Sequence, residues 1–384
     1  STLAQTATPL CVADPALMPA SWQPSAQIAA ELSLDPAPWS FREAADTQAS
    51  LAAGVIEMID YFDKEEGAVP AMWEDAVGAL IEVTYSSANA PALDAAARAG
   101  AEANLARLMS GLLDEEPAEA TCDEFEDVMP LAMYAERFYG GDDARAAHMV
   151  ETLSASYAAC GSLSAAIGMP FPGILGDPAI TGAQVFDLVI WSLLFIEAEL
   201  MEGFEVSAEM REFSPALWTF LQTYEIKPAT AYEEGAYDEA FVEDAYLATH
   251  IAYIPTGNHR FPLYVADMPW LYDFHRENFY AMLEMGELDL VAEAVDSLRQ
   301  YGCTEENDIQ VRDGTRYLLQ VWHDGAESWG AYREPGETDA MVEAYDYIHK
   351  VWTAVLGVRP RVIEAPVEGT YGGVVRKWMP APVE

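Results

Sequence analysis

Apolar residues recur at intervals of three and four positions along most of this chain, which is the spacing of one face of an α-helix. After Ser40, for example, Leu51, Val55, Ile59 and Phe62 follow this spacing. The alternation of apolar and polar residues that is typical of β-strands is nearly absent. The pattern therefore predicts an all-α protein.

Helix boundaries are marked by residues that suit helix ends. A Ser or Thr followed three residues later by Glu or Gln can form a capping box, in which both side chains accept hydrogen bonds from main-chain N–H groups at the start of the helix. Three such pairs precede predicted helices, namely Ser40 with Glu43, Thr121 with Glu124, and Thr181 with Gln184. Later helices are predicted over residues 207–224, 236–253, 269–285, 287–302, 305–323 and 338–356.

About twelve helices joined by short connections predict antiparallel neighbours, and hence six helical hairpins. Such hairpins form either an α/α toroid or a curved solenoid. No motif repeats with a fixed period, which argues against tetratricopeptide or ankyrin arrays. We expect an α/α toroid over residues 40–358 with a central cavity. An extended arm over residues 1–39, with one short helix near residues 26–32, precedes it, and an extended tail over residues 359–384 follows it.

The charge of the chain limits its partners. It has 64 acidic and 19 basic residues, a net charge of −45. Nucleic acids and anionic membranes are bound through Lys and Arg, so neither is an expected partner. No window approaches the ~20 apolar residues of a membrane span. The acidity suits a protein of a saline habitat or one that binds calcium, although the EF-hand pattern of calcium loops is absent. The oligomeric state is left open.

The cysteines bear on the compartment. There are four, widely spaced along the chain: Cys11, Cys122, Cys160 and Cys303. In an exported protein they could form two disulfides in three possible connectivities. For Cys303 we expect a disulfide to Cys160 or a buried thiol rather than a nucleophile. The first residues resemble a mature end left after signal removal. A periplasmic or secreted protein is expected.

One C-terminal element resembles a known family. The string from Gln320 to Gly330, QVWHDGAESWG, resembles the Q…DG.W element of terpenoid cyclases and other α/α-toroid proteins. In that family the glutamine caps a helix and stacks on the tryptophan, here Trp329. The resemblance covers roughly residues 285–358. The aspartate-rich motif of the class II cyclases is absent, and the nearest string, Glu287-Leu-Asp289, is interpreted as a helix cap. The resemblance implies the fold and not the reaction.

The stretch over residues 245–280 concentrates the candidate chemistry, because it holds three of the six histidines at a break between two predicted helices. The candidate catalytic residues are His250, His259, Tyr253, Asp267, His275 and Asp273. The candidate substrate-binding residues are Trp270, Tyr272, Tyr264, Phe274, Asn258, Arg260 and His323. Polar groups at a loop between helices are a common setting for function.

These residue types predict acid–base catalysis without a cofactor. His250 and His259 would carry protons with Tyr253 as partner, while the remaining catalytic candidates would orient them. Aromatic rings would line the cavity and could steady a developing cation. The function expected is a lyase or isomerase acting on a small, largely apolar and possibly terpenoid-like molecule. His148 and His349 are interpreted as structural.

Three alternatives remain open at this point. A metalloenzyme would use His250, His259 and His275 as ligands, although the spacings match no zinc signature. A carbohydrate-active enzyme on the same fold would need two carboxylates across a cleft. A non-catalytic binding or structural protein would use the histidines and aromatic residues only for packing.

Overall fold

The computed structural model of the chain describes residues 10–32, 34–64, 78–80, 95–114, 120–224, 226–231, 237–257, 260–333, 344–360 and 367–379. These residues form α-helices and short 3₁₀ turns and contain no strand, which confirms the all-α prediction. The α-helices are α1 (Ala26–Glu31), α2 (Phe41–Lys64), α3 (Ala95–Asp114), α4 (Phe125–Tyr139), α5 (Ala144–Cys160), α6 (Leu163–Ala166), α7 (Gly182–Ala198), α8 (Ala208–Leu221), α9 (Tyr237–Thr256), α10 (Pro269–Met285), α11 (Leu288–Gln300), α12 (Ile309–Asp324), α13 (Ala344–Val358) and α14 (Tyr371–Trp378). None of the described helices is long and apolar enough to cross a membrane.

Two of the three predicted capping boxes are present. The Ser40 N–H donates to Glu43 Oε2 at 2.7 Å, and the Glu43 N–H donates to Ser40 Oγ at 3.2 Å. Thr181 and Gln184 form the same reciprocal pair at the start of α7. These side chains satisfy main-chain donors that the first helical turn leaves without a partner.

The prediction of a third capping box, at Thr121, was wrong. Helix α4 begins at Phe125, and Glu124 occupies the capping position without a side-chain hydrogen bond. A turn, in which the Phe125 N–H donates to the Cys122 carbonyl, separates Thr121 from the helix.

The helices pack in a regular succession. Helix α4 contacts α7, α7 contacts α9, α9 contacts α11, and α11 contacts α13. The helices between them in the chain pack against these, α8 on α7, α10 on α9 and α11, and α12 on α11. Helix α2 contacts both α12 and α13, so the first long helix lies beside the last ones.

Helix α11 lies at the centre of this arrangement. All its residues except Asp289 are buried, although several are polar. Buried polar groups require hydrogen-bond partners. The guanidinium of Arg299, for example, donates to Glu305 and to the carbonyl of Gly357. Glu293, on the same helix, lines a cavity described below.

The connection between α12 and α13 is attached to α2 through Trp329. The Trp329 side chain is fully buried, and its Nε1–H donates to the Ser50 carbonyl at 2.9 Å. The main-chain N–H groups of Trp329 and Gly330 donate to the carboxylate of Glu57 at 3.1 and 2.8 Å. Gln320 is exposed at the surface of α12.

The disulfide of Cys303 differs from the one that the sequence analysis expected. Cys11 is joined to Cys303, and Cys122 is joined to Cys160. The expected pairing of Cys303 with Cys160 was wrong because main-chain contacts bring the N-terminal arm to the start of α12, where the Ile309 N–H donates to the Val12 carbonyl at 2.8 Å. The disulfide also excludes Cys303 as a nucleophile.

The arm is further held by Arg276, which is fully buried in α10. Its guanidinium donates to Asp308 Oδ1 at 3.0 Å and to the Leu10 carbonyl at 2.6 Å, and it lies 4.8 Å from the centre of the Trp22 ring. The Val12 N–H donates to the same carboxylate.

The tail differs from the extended segment expected, because part of it forms α14. The hydroxyl of Thr370 accepts a hydrogen bond from the Gly373 N–H at 3.1 Å and caps this helix. A Cβ atom at Gly372 would lie 2.6 Å from Phe261, so glycine permits the close approach of α14. The Tyr371 hydroxyl donates to the Ile254 carbonyl at the end of α9.

Candidate functional site

Two cavities that share part of their lining lie among α4, α7, α9, α11 and α13, and we call them the wide chamber and the narrow chamber. The wide chamber has a volume of about 890 Å³, and the narrow, more enclosed chamber about 360 Å³. Four residues line both chambers: Phe186, His250, Tyr345 and His349. The chambers therefore meet at two histidines and two aromatic rings.

The helices present residues to this cavity at intervals of three and four, as one helical face requires. The lining residues with this spacing are Phe186, Ile190, Leu193 and Glu197 on α7, Tyr246, His250 and Tyr253 on α9, Asp289 and Glu293 on α11, and Tyr345, His349 and Trp352 on α13. Polar groups of α9, α11 and α13 thus converge where the chambers join.

The first histidine–carboxylate pair joins α9 to α11. His250 Nδ1 lies 2.8 Å from the Tyr246 carbonyl oxygen and 3.8 Å from Glu293 Oε2. A carbonyl oxygen only accepts hydrogen bonds, so we assign the proton of the neutral ring to Nδ1. The basic nitrogen of that ring is then Nε2.

Glu293 is almost completely buried, and hydroxyl groups of α9 surround it. The Thr249 hydroxyl donates to Oε2 at 2.6 Å, and the Tyr253 hydroxyl also hydrogen-bonds to this side chain. Burial, followed by the charge of Glu293, raises the pKa of Tyr253 well above its ordinary value. Tyr253 therefore remains a neutral donor that holds the carboxylate in place beside His250.

The second pair joins α13 to α11. His349 Nδ1 lies 3.3 Å from Asp289 Oδ2, and the Tyr345 ring stacks on the His349 ring with centroids 5.2 Å apart. Burial acts to raise the pKa of Asp289, but hydrogen bonds from His349 and Tyr246 outweigh it and leave the pKa below its ordinary value. Asp289 is therefore ionised beside the His349 ring at neutral pH.

Tyr246 contacts members of both pairs. Its carbonyl oxygen contacts His250, and its hydroxyl hydrogen-bonds to Asp289. Burial, followed by the charge of Asp289, raises the pKa of Tyr246 far above its ordinary value. One tyrosine of α9 thus fixes the orientation of one histidine and the carboxylate partner of the other.

The narrow chamber also holds two arginines that share one carboxylate. Arg260 hydrogen-bonds to Glu197 of α7, and Arg137 Nη1 of α4 lies 4.0 Å from the same carboxylate. The Arg260 guanidinium lies 5.4 Å from the centre of the Tyr371 ring.

The charged residues that line the wide chamber are mainly acidic. Its charged lining residues are the carboxylates of Asp187, Glu243, Asp244, Glu287, Asp289 and Asp346 and the amines of Lys227 and Lys350. Such a lining provides hydrogen-bond acceptors for hydroxyl or ammonium groups and disfavours anions.

Three of the candidate site residues line the cavity: His250, Tyr253 and Arg260. Asn258 and His259 lie outside the described residues. The other eight are not among the described residues that line either chamber.

Five of those eight are near the arm or the tail, or on the surface. Asp267 forms an ion pair with Arg376 of α14 at 2.8 and 2.9 Å, and the same guanidinium lies 4.7 Å from the centre of the Tyr264 ring. The Tyr272 hydroxyl donates to the Leu10 carbonyl. Asp273 is exposed, and His323 lies on the surface 3.7 Å from a carboxylate oxygen of Asp46.

The other three are packed in α10. Trp270 Nε1–H donates to the Leu221 carbonyl at 2.8 Å, and Phe274 packs on Phe241. His275 is fully buried, and burial followed by the charge of Arg276 lowers its pKa to about 3. His275 is therefore a neutral histidine of the core.

The sequence interpretation missed His349, Asp289 and Glu293 as site residues. It assigned His349 a structural role because this residue lies within a predicted amphipathic helix. It assigned Asp289 a capping role because this residue lies at a predicted helix start. A signal was present: α11 carries carboxylates four residues apart on a helix that is otherwise mostly apolar. Buried carboxylates at that spacing share one face and need partners on neighbouring helices.

One group of metal-ligand residue types occurs within the described ranges, namely Cys11, Cys303 and Asp308. Its cysteines form a disulfide, so this group is structural.

Comparisons with protein-family models, curated proteins and solved structures found no match to the chain.

Proposed function

We propose that this protein is an isomerase that removes a proton from carbon and returns it by two-base acid–base catalysis. One observation carries the proposal: two histidine–carboxylate pairs, His250 with Glu293 and His349 with Asp289, join α9 and α13 to α11, and both histidines line both chambers. A single proton carrier would need only one such pair.

The reaction follows from the chemistry of imidazole. A carbon-bound proton next to a carbonyl group moves to the basic nitrogen of one histidine, and the electron pair of the C–H bond forms an enolate. The second histidine, in its protonated form, gives a proton to the same carbon from the other side. Each carboxylate stabilises the imidazolium that forms beside it.

The charge of the wide chamber supports a neutral or cationic substrate of small size. Six carboxylates and two amines line this chamber, so an anionic substrate would enter against repulsion. The carboxylates favour a molecule with hydroxyl or amino groups, such as a neutral hydroxy aldehyde or hydroxy ketone.

The helix order supports an α/α toroid as the scaffold of this site. Helices α4, α7, α9, α11 and α13 would form its inner layer, and α2, α3, α5, α8, α10 and α12 its outer layer. The contact of α2 with α13 supports closure of the ring. Two disulfides are compatible with export to an oxidising compartment, which we retain as part of the proposal.

The experiment is hydrogen exchange in deuterium oxide. The protein is incubated with a panel of neutral 2-hydroxy aldehydes and ketones, and proton NMR follows loss of the signal next to the carbonyl group and appearance of the epimer. His250→Gln and His349→Gln are each expected to lower the rate by about a hundredfold or more. His275→Gln is the control, because that ring lies outside the cavity and its substitution changes stability rather than exchange. Full exchange in both cavity variants would reject the proposal.

A further inference from the structure

Basic residues are few beside the acidic ones in this chain, yet two arginines line the narrow chamber. The protein has 19 basic residues against 64 acidic ones. Arg137 and Arg260 come from different parts of the chain and meet at Glu197, which also lines the chamber. The side chain of Arg260 is 12% exposed. A guanidinium group kept in a largely enclosed space is costly to desolvate, so its position needs a physical reason.

The plane of the Arg260 guanidinium is fixed on several sides. Its Nε–H donates to the Gly257 carbonyl at 2.8 Å, and Glu197 binds the end of the group. The rings of Phe261 and Tyr371 lie 5.6 and 5.4 Å from the guanidinium carbon. A fixed, planar array of N–H donors matches a planar oxyanion better than a flexible ammonium group does.

The arginine cluster lines the same chamber as the first histidine. His250 and Tyr253 lie on α9, which ends at Thr256, and Gly257 and Arg260 line the chamber just beyond the end of that helix. A substrate held at His250 in this chamber can therefore extend an oxygen toward the guanidinium groups.

We infer that Arg137 and Arg260 bind the carbonyl oxygen of the substrate and stabilise the negative charge that develops on it. The inference rests on the proposed proton-transfer function. As the C–H bond breaks, its proton moves to a histidine, its electron pair forms the carbon–carbon double bond, and the oxygen takes the charge. When the second histidine returns a proton, the electron pair goes back to carbon and the oxygen is again a neutral carbonyl oxygen. Preorganised donors at such an oxygen are among the strongest contributions to catalysis.

The test is direct binding of acetate, whose planar O–C–O group has the shape and charge of an enolate. Carbon-13-labelled sodium acetate is titrated into the protein at constant ionic strength and at about pH 8, above the ordinary pKa of histidine, and bound acetate is followed by NMR line broadening. The wild type is expected to bind acetate saturably. Arg260→Gln and Arg137→Gln are each expected to weaken binding by about tenfold or more, since each removes charged donors.

The matched control is Lys227→Gln, which removes a positive charge from the wide chamber and is expected to leave acetate binding within about twofold. Lack of saturable binding by the wild type would overturn the inference, whatever the variants do. Equal loss of binding in Lys227→Gln would also overturn it, because charge alone would then explain the result. Acetate binding that depends on the arginines, combined with no exchange in deuterium oxide, would reject the proposed isomerase but keep the oxyanion site.

Discussion

Asp289 and Glu293 lie one helical turn apart on α11, and each pairs with a histidine from a different neighbouring helix. The carboxylates are carried by the most completely buried helix described. Their separation is therefore set by helix geometry and not by a loop. Two proton carriers that must act on one carbon atom need such a fixed separation.

The hydroxyl of Tyr246 should control the acidity of Asp289. Tyr246→Phe removes a hydrogen bond that lowers the pKa of this carboxyl, so the pKa is expected to rise. Carbon NMR titration of the Asp289 carboxyl measures the change. Tyr253→Phe is the matched control from the same helix, because that hydroxyl binds Glu293 instead. An equal rise in both variants would contradict the assignment.

Asp313 on α12 should make the protein less stable as the pH rises from about 4 to 6. Burial raises its pKa to about 6, although a hydrogen bond from Tyr280 acts to lower it. Between the unfolded and folded pKa values only the folded state holds the proton, so stability falls as pH increases through this interval. Relative to Asp313→Asn, the wild type is expected to lose up to about 3 kcal/mol between pH 4 and 7.

Urea unfolding of both proteins at several pH values measures this difference. The Asn side chain still accepts the hydrogen bond of Tyr280 and never ionises, so the difference isolates the titration of Asp313 from those of the other carboxyl groups. A difference that is constant with pH would show that Asp313 titrates normally.

The disulfide of the N-terminal arm should stabilise the protein more than the other one. Cys11 and Cys303 are 292 positions apart in sequence, and Cys122 and Cys160 are 38 apart. In the chain-entropy model, replacing each pair by serine costs about 6 and about 4 kcal/mol, respectively. The free energy of unfolding in urea measures both. A larger loss for the Cys122–Cys160 pair would show that residual structure in the unfolded chain dominates.

Gly54 should tolerate no side chain. A Cβ atom there would lie 2.5 Å from Val355 Cγ2 and 3.0 Å from Trp329 Cδ1, so Gly54→Ala is expected to cost about 1–3 kcal/mol. The control is Gly111 of α3, where a Cβ atom meets nothing within 4 Å. Gly111→Ala should stabilise the protein by about 0.5–1 kcal/mol, because alanine favours the helix. Thermal unfolding distinguishes the two, and destabilisation by both would contradict this packing.

Much of the helical structure could be predicted from local pattern. The helix predicted over residues 269–285 has those bounds in α10, since Pro269 begins it and Gly286 ends it. The contacts of the arm could not be predicted in this way. Arg276 and Asp308 are each ordinary charged residues in their local sequence, and only the fold brings them together.

Sequence reasoning identified only part of the lining of the candidate cavity. His250 and Tyr253 were found because they lie in a stretch rich in polar and aromatic residues. His349 also lies among polar and aromatic residues, from Tyr345 to Trp352, but its role depends on Asp289, which belongs to a different helix. Local sequence can suggest such a residue, but it does not identify the distant side chain that gives the residue its chemistry.

The contact of α2 with α12 and α13 has a consequence for the order of the chain. The long helices from α2 to α13 therefore form a body that begins beside the place where it finishes. The exposed connection at residues 176–179 could become the new start, with the old ends joined by a linker. The same helices could then assemble from a cyclically permuted gene.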